Sequence, residues 1–340
     1  MHFPVSVLSK NKFRVKTAIQ RKKKVIKEAQ VTPHIIQWPD LSFKLSEKSG
    51  SVGFNLMGMT EAESDIHAFT VMNQALGSGA NLWTTGDYGQ KDPTAGLHLL
   101  NRYFTLHDKH AESVVLSVKA SINPSTRSPT ATRNYVRRSI ETTLRILDSR
   151  KHVDIFTCVP NKHVPVEDTI GAVAELVREG KISGIGLSGV TAGMIRRAYA
   201  VHPIACVEVE AELGKCQLAE GVAEVCAELG IPLVVYSRYG VASDDALETR
   251  SVLSRGIRKS ATLRATPVQL SLAWLKRQSG RRGLPVIIPV PETTNINKVA
   301  ENISEVFLTA VEASEIEEIL GRVQAEGVKY NAPFSACLEL

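Results

Sequence analysis

The sequence predicts an α/β fold of the (β/α)8 type, the TIM barrel. From residue 53 onward, eight short apolar runs typical of buried parallel strands alternate with helical patterns. One domain with this pattern has the size of such a barrel. The runner-up is a doubly wound sheet, and it is disfavoured because no GxGxxG motif follows the first strand. The GIGLSG sequence at residues 184–189 is a lone glycine pattern that falls largely inside the fifth predicted strand.

The predicted elements follow one another in a regular order. Strands are placed at residues 53–59, 80–84, 113–118, 153–158, 182–187, 205–209, 232–236 and 285–290. Helices are placed at residues 61–76, 97–104, 132–147, 167–178, 192–201, 218–229, 268–278 and 296–303, with a further helix at 313–320. Val136, Ile140 and Leu144 illustrate the evidence, since their spacing puts them on one helical face. Thr266-Pro267 is typical of a helix start, with an N-cap followed by proline at the first helical position.

The net charge of +6 is concentrated at the N-terminus. Residues 1–30 contain nine Lys or Arg and one acidic residue, which leaves 32 basic and 34 acidic residues elsewhere. The body of the chain therefore gives no indication of nucleic-acid binding. We predict a basic, flexible N-terminal extension over residues 1–50, the barrel over 51–330 and a C-terminal tail over 331–340. The Arg21–Lys24 run leaves open a targeting role for the extension.

Apolar runs and cysteines indicate the class of protein. No apolar run approaches the roughly 18 residues of a membrane span, so no membrane partner is expected. The five cysteines are scattered over the 340 residues without CxxC spacing. This pattern indicates reduced thiols in a cytoplasmic protein, with neither a disulfide framework nor a metal site. The oligomeric state does not follow from the sequence.

Polar residues stand at the carboxyl ends of the predicted strands, where barrel enzymes carry their chemistry. Tyr88 lies in a glycine-containing loop after the second strand, and Lys119 ends the third. Other strand ends carry Ser188, Glu208, Tyr236 and Ser237. The loop after the eighth strand has hydroxyl groups followed by Lys298, which is typical of a phosphate site. An ordinary loop tyrosine and an N-capping segment with a solvated lysine remain open alternatives.

Several ordered segments resemble the aldo/keto reductase superfamily, and most closely its fungal pyridoxal reductase-like branch. The resemblance covers roughly residues 53–325. The segments that carry it are FNLMGMT (54–60), LHLLNRYF (97–104), LSVKAS (116–121), VREGKISGIGLSGVTAGMIRRAYAVHPIACVEVEAEL (177–213), ELGIPLVVYS (228–237), TPVQLSLAWL (266–275) and IPVPETTNINKVAEN (288–302). Chance does not explain so many matches in one order, so the resemblance supports the barrel.

The resemblance implies hydride transfer between NADPH and a small-molecule carbonyl compound. The family's general-acid tyrosine corresponds to Tyr88, and the lysine that lowers its pKa corresponds to Lys119. An unperturbed tyrosine has a pKa of about 10 and donates poorly near neutral pH, whereas a nearby cation favours its phenolate. General acid catalysis of this kind contributes about 10²–10⁴ in rate.

The resemblance also implies which residues bind the cofactor. Ser188 and Glu208 correspond to contacts with the nicotinamide carboxamide, and Tyr236 to the ring that stacks on the nicotinamide. The remaining cofactor-binding candidates are Ser237, Thr293 and Thr294, together with Lys298 for the 2′-phosphate and Asn302 for adenine. Lys298 favours NADP over NAD.

The chain departs from the family pattern at several positions. The aspartate that pairs with the lysine is replaced by Thr84, so Lys119 is expected to lose its anion; Asp87 lies next to Tyr88 but is expected to point elsewhere. The histidine position holds Val159, with His163 a few residues on. Gly189 stands where asparagine is common and Glu208 where glutamine is common. Near the cofactor, Arg238-Tyr239 replaces the usual Pro-Leu and Ala211-Glu212 the usual Tyr-Ser, and the stretch from Ser237 to Thr266 is short for the family.

Two functions therefore compete. Tyr88 and Lys119 support an NADPH-dependent reductase of an aldehyde or ketone, either pyridoxal-like or a carbonyl of specialised metabolism. Thr84, Val159 and the shortened loop support a degenerate barrel without redox activity. Such a barrel would act as a binding or scaffold protein, or in non-redox chemistry of a biosynthetic pathway.

Overall fold

A computed structural model describes residues 43–61, 64–86, 92–120, 130–161, 163–210, 221–236, 265–281 and 283–325. All of them lie in one unit, residues 39–340. The strands are β1 Phe54–Asn55, β2 Leu82–Gly86, β3 Val115–Ala120, β4 Val153–Cys158, β5 Ile182–Ser188, β6 Cys206–Glu210, β7 Leu233–Tyr236 and β8 Ile287–Pro289. The helices are α1 Leu45–Lys48, α2 Asp65–Gly77, α3 Ala95–Leu106, α4 His110–Ser113, α5 Arg133–Leu147, α6 Val166–Arg178, α7 Ala192–Val201, α8 Val222–Leu229, α9 Pro267–Gln278, α10 Ile296–Ile303 and α11 Ala310–Ala325, with a 3-10 helix at Met57–Glu61.

The eight strands form one parallel sheet whose spatial order is their order in the chain. The two edges of this sheet also meet. The Gly53 amide donates to the Pro289 carbonyl oxygen at 2.9 Å, and the Asn55 amide donates to the Pro291 carbonyl oxygen at 3.0 Å. A sheet whose edges bond to each other is a closed barrel. The predicted (β/α)8 fold is therefore confirmed.

Alternation along the strands divides the core in two. One apolar cluster fills the barrel interior and includes Leu82, Val115, Ile155, Cys206, Val234 and Ile288. A larger cluster lies between the outer faces of the strands and the helices that surround them. None of the described helices is both long enough and apolar enough to cross a membrane.

Of the eight strands, only β4 has its predicted bounds, and in β1 and β2 the difference arises because turns occupy part of the predicted run. The Ala80 amide still bonds to the Ala75 carbonyl oxygen, and the Asn81 amide to that of Gly79, so β2 starts at Leu82 rather than at residue 80. β1 contains only two residues, because the Met59 amide bonds back to the Leu56 carbonyl oxygen and begins the 3-10 turn. Apolar composition alone does not separate a strand from a buried turn.

Residues 43–50, which were predicted to belong to the flexible extension, pack against the amino-terminal end of the barrel. Leu45 of α1 is buried in the interior cluster, and Phe43 packs beside it. The Asn81 side chain accepts a hydrogen bond from the Gly50 amide at 2.7 Å and donates to the Lys48 carbonyl oxygen at 2.8 Å. This part of the extension therefore covers the apolar layer at the bottom of the barrel. Residues 1–42 lie outside the described ranges.

The GIGLSG sequence has a packing role in β5. A Cβ atom added at Gly186 would overlap the Thr157 hydroxyl oxygen on the neighbouring strand β4. Glycine is therefore required for β4 and β5 to pack together at this position. Gly189, just beyond the strand, has a φ of 65°, a conformation that favours glycine. The pattern therefore belongs to a strand and its exit, as expected for the fifth strand of the barrel.

Candidate active site

Side chains of β3, β6 and β7 meet inside the barrel at its carboxyl-terminal end. Val115, Cys206 and Val234 belong to the interior apolar cluster. Because every second residue of a strand faces the same side, Lys119, Glu208 and Tyr236 face the interior above that cluster. The apolar layer thus forms the floor of the site, and the polar side chains form its upper layer.

Lys119 and Glu208 form an ion pair at this end of the barrel. Lys119 Nζ lies 2.7 Å from Glu208 Oε2, and the two side chains are only 12% and 3% exposed. The expectation that Lys119 loses its anion was therefore wrong, because a carboxylate from β6 supplies it. Removing one partner of a buried pair leaves an uncompensated charge and typically costs about 3–5 kcal/mol.

Tyr236 adds a second contact to the lysine. Lys119 Nζ lies 4.2 Å from the centroid of the Tyr236 ring, a cation–π arrangement. Ring and carboxylate together restrict the ammonium group to one region of the barrel mouth. A lysine side chain is long and flexible, so ordering it costs conformational entropy. Because these two contacts already restrict the Lys119 side chain, less of this entropy is lost when a ligand binds.

Ser188 and Glu208 lie side by side in the sheet. Their Cα atoms are register partners in the β5–β6 pair, and both residues are 4% exposed. Glu208 Oε1 is buried and has no hydrogen-bond partner among the described residues. A buried carboxylate oxygen without a donor is unfavourable, so this atom is suited to an N–H or O–H group of a bound molecule.

Cys206 lies one inward position below Glu208. Burial raises the pKa of the Cys206 thiol well above its usual value, and the neighbouring Glu208 carboxylate acts in the same direction. The thiol therefore stays protonated and acts as part of the apolar floor, since the thiolate is the nucleophilic form of cysteine. Cys158, Cys206 and Cys226 are all buried, and none of these three described cysteines is in a disulfide.

The second group of predicted site residues surrounds the loop after β8. The Thr293 hydroxyl oxygen accepts from the Asn295 amide at 3.1 Å, and Asn295 in turn caps α10 through the Asn297 amide at 2.9 Å. His67 Nε2 donates to the Thr294 carbonyl oxygen at 2.7 Å. Asn302 is buried on α10. The loop is thus held in place by its own side chains and by α2.

Lys298 is engaged in an ion pair inside α10. Its Nζ lies 2.6 Å from Glu301 Oε2, and the Lys298 side chain is 44% exposed. The Thr266 hydroxyl donates to the other oxygen of Glu301. Burial disfavours the charged form of Glu301, but the hydrogen bonds from Lys298 and Thr266 prevail and lower its pKa. A carboxylate therefore competes with any phosphate for this lysine.

Comparison with known proteins identifies the family. The model of the aldo/keto reductase family matches residues 51–321. The chain belongs to the aldo/keto reductase family. A Schizosaccharomyces pombe relative, named Probable pyridoxal reductase 2, is 31% identical over 327 residues, which cover 86% of this chain and 98% of the relative. This membership confirms the resemblance inferred from the motifs.

Solved structures of aldo/keto reductases share the fold. A thermostable aldo-keto reductase crystallised with the inhibitor epalrestat matches with a TM-score of 0.64 and 25% identity, over 79% of this chain and 95% of that chain. An aldo/keto reductase from Klebsiella pneumoniae, crystallised with NADP and acetate, matches with a TM-score of 0.64 and 18% identity, over 80% of this chain and 92% of that chain.

The family's aspartate position is also an interior position here. Thr84 pairs with Ser117 in the β2–β3 register, one inward position below the Gly86–Lys119 pair. The residue is 7% exposed, and its carbonyl oxygen accepts from the Leu56 amide at 2.8 Å. The position is thus close in the sheet to Lys119, but its side chain carries no charge.

The family's histidine position is occupied by an apolar side chain. Val159 follows β4 and lies beside Gly189, where an added Cβ atom would be 3.7 Å from Val159 Cγ1. His163 is exposed in the loop before α6, with its amide donating to Asn161 Oδ1 at 2.7 Å. Val159 therefore offers no polar side chain to a carbonyl oxygen at this position.

Several predicted residues lie outside the described ranges. Tyr88, Asp87, Ser237, Arg238, Tyr239, Ala211 and Glu212 are in this group, so their predicted roles stay predictions. Of the others, the structure brings Lys119, Ser188, Glu208 and Tyr236 together at the barrel mouth. Thr293, Thr294, Lys298 and Asn302 form the separate group at β8 and α10.

Sequence reasoning missed two ionic contacts. A signal for the first was present, because an acid appears at Glu208 where the family commonly has glutamine while the aspartate is absent at Thr84. The second was visible as the i,i+3 spacing of Lys298 and Glu301 on a predicted helix. In each case a carboxylate pairs with a lysine that was predicted to act on another group.

Proposed function

We propose that this chain is an NADPH-dependent reductase of an aldehyde or ketone. The observation that carries the proposal is the 2.7 Å contact between Lys119 and the buried Glu208 carboxylate at the catalytic end of the barrel. This contact supports a charged, oriented lysine even though Thr84 replaces the family's aspartate. Family membership and the fold support the reaction class.

In this proposal Tyr88 donates its phenolic proton to the carbonyl oxygen, and Lys119 stabilises the phenolate that results. A unit charge about 4 Å away in a partly screened site interacts by up to about 4 kcal/mol. A fraction of this energy lowers a tyrosine pKa by a unit or more, at about 1.4 kcal/mol per unit. NADPH, when bound, supplies the hydride that the carbonyl carbon accepts.

The residues present fit a nicotinamide cofactor. Glu208 Oε1 is a buried acceptor without a donor among the described residues, and Ser188 adjoins it, so a carboxamide N–H matches this point of the barrel. Tyr236 and Ser237 would adjoin the ring. Thr293, Thr294, Lys298 and Asn302 would hold the 2′-phosphate and adenosine end, and a Klebsiella pneumoniae family member was crystallised with NADP.

The substrate class we propose is a small carbonyl compound, with pyridoxal first in the set to be tested. This choice rests on the relative named Probable pyridoxal reductase 2. A carbonyl of specialised metabolism is the alternative. We propose a cytoplasmic location because the three described cysteines are buried and outside any disulfide.

A barrel without redox activity is the second candidate function. Thr84 and Val159 favour it, since both replace polar groups that the family uses at the barrel mouth. In that case the barrel mouth would serve binding or non-redox chemistry.

Titration of the purified chain with NADPH and NADH distinguishes the two functions. Nicotinamide fluorescence and the melting temperature report binding without knowledge of the substrate. The reductase proposal predicts saturable binding with NADPH tighter than NADH. Absence of binding by both cofactors would favour the non-redox barrel.

A further inference from the structure

The Lys119–Glu208 contact joins strands that are not neighbours. β4 and β5 separate β3 from β6 in the sheet, so the two side chains meet across the interior of the barrel. They are 89 residues apart in the chain, and neither is more than 12% exposed. A contact that spans the barrel at this depth depends on both side chains and on the closed sheet.

Only one of the two carboxylate oxygens of Glu208 takes part in this contact. Oε2 accepts from Lys119 Nζ, while Oε1 stays buried without a donor among the described residues. Neutral glutamine would satisfy a hydrogen bond at this place but would remove the negative charge that lies 2.7 Å from the ammonium. The negative charge is thus matched to Lys119.

The aspartate position of the family lies on the other side of the lysine. Thr84 of β2 faces the interior next to β3, and the Gly86–Lys119 register pair lies one inward step above it. A carboxylate on β2 and a carboxylate on β6 would approach Lys119 from different strands. The chain has the second and lacks the first.

We infer that Glu208 is the positioning residue of Lys119 and takes the role of the family's aspartate from the opposite side of the barrel. The inference rests on the proposed function for its effect on turnover. It accounts for an acid at 208 and a neutral residue at 84 in one chain, because one ammonium needs one counter-charge. Besides Glu208, the titratable side chains of the described residues that face the interior around Lys119 are Tyr236, Cys206 and Glu210, which is the register partner of Tyr236 one inward position above Glu208.

Relocating the carboxylate tests this inference. Four proteins are compared: wild type, E208Q, T84D and T84D/E208Q. Acetic anhydride pulse labelling across a range of pH, quantified at Lys119 by peptide mass spectrometry, measures how readily the amine loses its proton. Lys151 is the matched control, since its Nζ bonds to Asp154 Oδ2 at 2.7 Å near the start of β4, and its side chain is 4% exposed.

E208Q is expected to label faster at Lys119 than wild type by about tenfold, because an ammonium without its carboxylate deprotonates more readily. T84D/E208Q is expected to return close to the wild-type rate. T84D alone is expected to lower the melting temperature, since its second carboxylate has no counter-charge. Lys151 should label equally in all four proteins.

Two outcomes would overturn the inference: an E208Q labelling rate at Lys119 equal to that of wild type, or T84D/E208Q labelling as fast as E208Q. Labelling needs neither cofactor nor substrate, so the labelling rates test this inference even if the reductase proposal fails. With an active substrate, turnover gives a second test. E208Q should lose about tenfold or more in kcat, and the pH above which its activity falls should be lower than in wild type. T84D/E208Q should recover both properties. Loss of kcat without the pH shift or the recovery would assign Glu208 to another role.

Discussion

At the residue scale, the task of each site lysine depends on the carboxylate that pairs with it. Lys119 is held by Glu208 inside the barrel, and Lys298 by Glu301 at its rim. The first pair is nearly buried and fixes a geometry. The second is partly exposed, so its carboxylate can give way to a stronger anion. The two lysines therefore have different tasks.

Lys298 gives a prediction about cofactor preference. Lys298→Ala is expected to weaken NADPH binding about 5–30-fold and to leave NADH nearly unchanged, since a lysine–phosphate contact contributes about 1–2 kcal/mol. Glu301→Gln is the matched variant: it removes the competing carboxylate and should tighten NADPH binding. Fluorescence titration of both cofactors measures these effects, and equal losses for NADPH and NADH in Lys298→Ala would reject the 2′-phosphate role.

Residue types at strand ends predicted the place of the site but not its contacts. Lys119, Ser188, Glu208 and Tyr236 were expected at the barrel mouth, because inward positions at the carboxyl ends of the strands converge there. The Lys119–Glu208 bond could not be predicted in the same way. It joins strands that are three apart, and its formation depends on side-chain length and on barrel closure, which are properties of the folded molecule.

At the scale of elements, the barrel is closed from below by a segment with little sequence pattern. α1 has four residues and a single buried side chain, Leu45, so neither periodicity nor length could identify it. Strands were easier to predict because burial on both faces makes them continuously apolar. Their ends were misplaced, as at Gly79–Asn81, where a turn follows α2 and β2 begins two residues later than predicted.

Leu45 gives a prediction about stability. Leu45→Ala is expected to lower the free energy of unfolding by about 2–5 kcal/mol, because it opens a cavity below the interior cluster. Leu106→Ala is the matched control, since Leu106 is 70% exposed on α3 and should change stability by about 0.5 kcal/mol or less. Urea denaturation measures both; similar values would show that α1 does not seal the barrel.

Truncation separates the two parts of the N-terminal region. Deleting residues 1–42 is expected to leave the melting temperature within a few degrees, as predicted for a basic extension with little apolar patterning. Deleting residues 1–50 is expected to lower it clearly, because Leu45 and the Asn81 contacts are then lost. Equal melting temperatures for the two truncations would contradict the described packing of α1.

At the scale of the whole molecule, arginine–carboxylate pairs link neighbouring helices around the barrel. Arg102–Asp65 joins α3 to α2, Arg133–Glu175 joins α5 to α6, Arg197–Glu167 joins α7 to α6, and Arg196–Glu228 joins α7 to α8. Hydrogen bonds from the arginines lower the pKa of each of these four carboxyl groups. We therefore expect the stability of the protein to depend on pH and salt through these exposed pairs.

The sign of the pH effect follows from these shifts. A carboxyl group with a lowered pKa in the folded state stabilises the protein above its ordinary pKa of about 4, and this contribution is lost as the pH falls through the lowered value. The urea midpoint should therefore fall between about pH 6 and about pH 3, and by less at high salt, which screens exposed pairs. A midpoint independent of pH at low salt would show that these pairs contribute nothing.

The central claim is that the barrel reduces a carbonyl with Tyr88 as proton donor beside the Lys119–Glu208 pair. NADPH oxidation against a set of aldehydes, including pyridoxal, tests it most directly when wild type is compared with Tyr88→Phe and with Tyr199→Phe, a matched change on α7 outside the barrel. We predict that Tyr88→Phe loses at least about 100-fold in turnover while NADPH affinity stays within a few-fold, and that Tyr199→Phe behaves as wild type. Wild-type turnover by Tyr88→Phe on an active substrate would contradict the account.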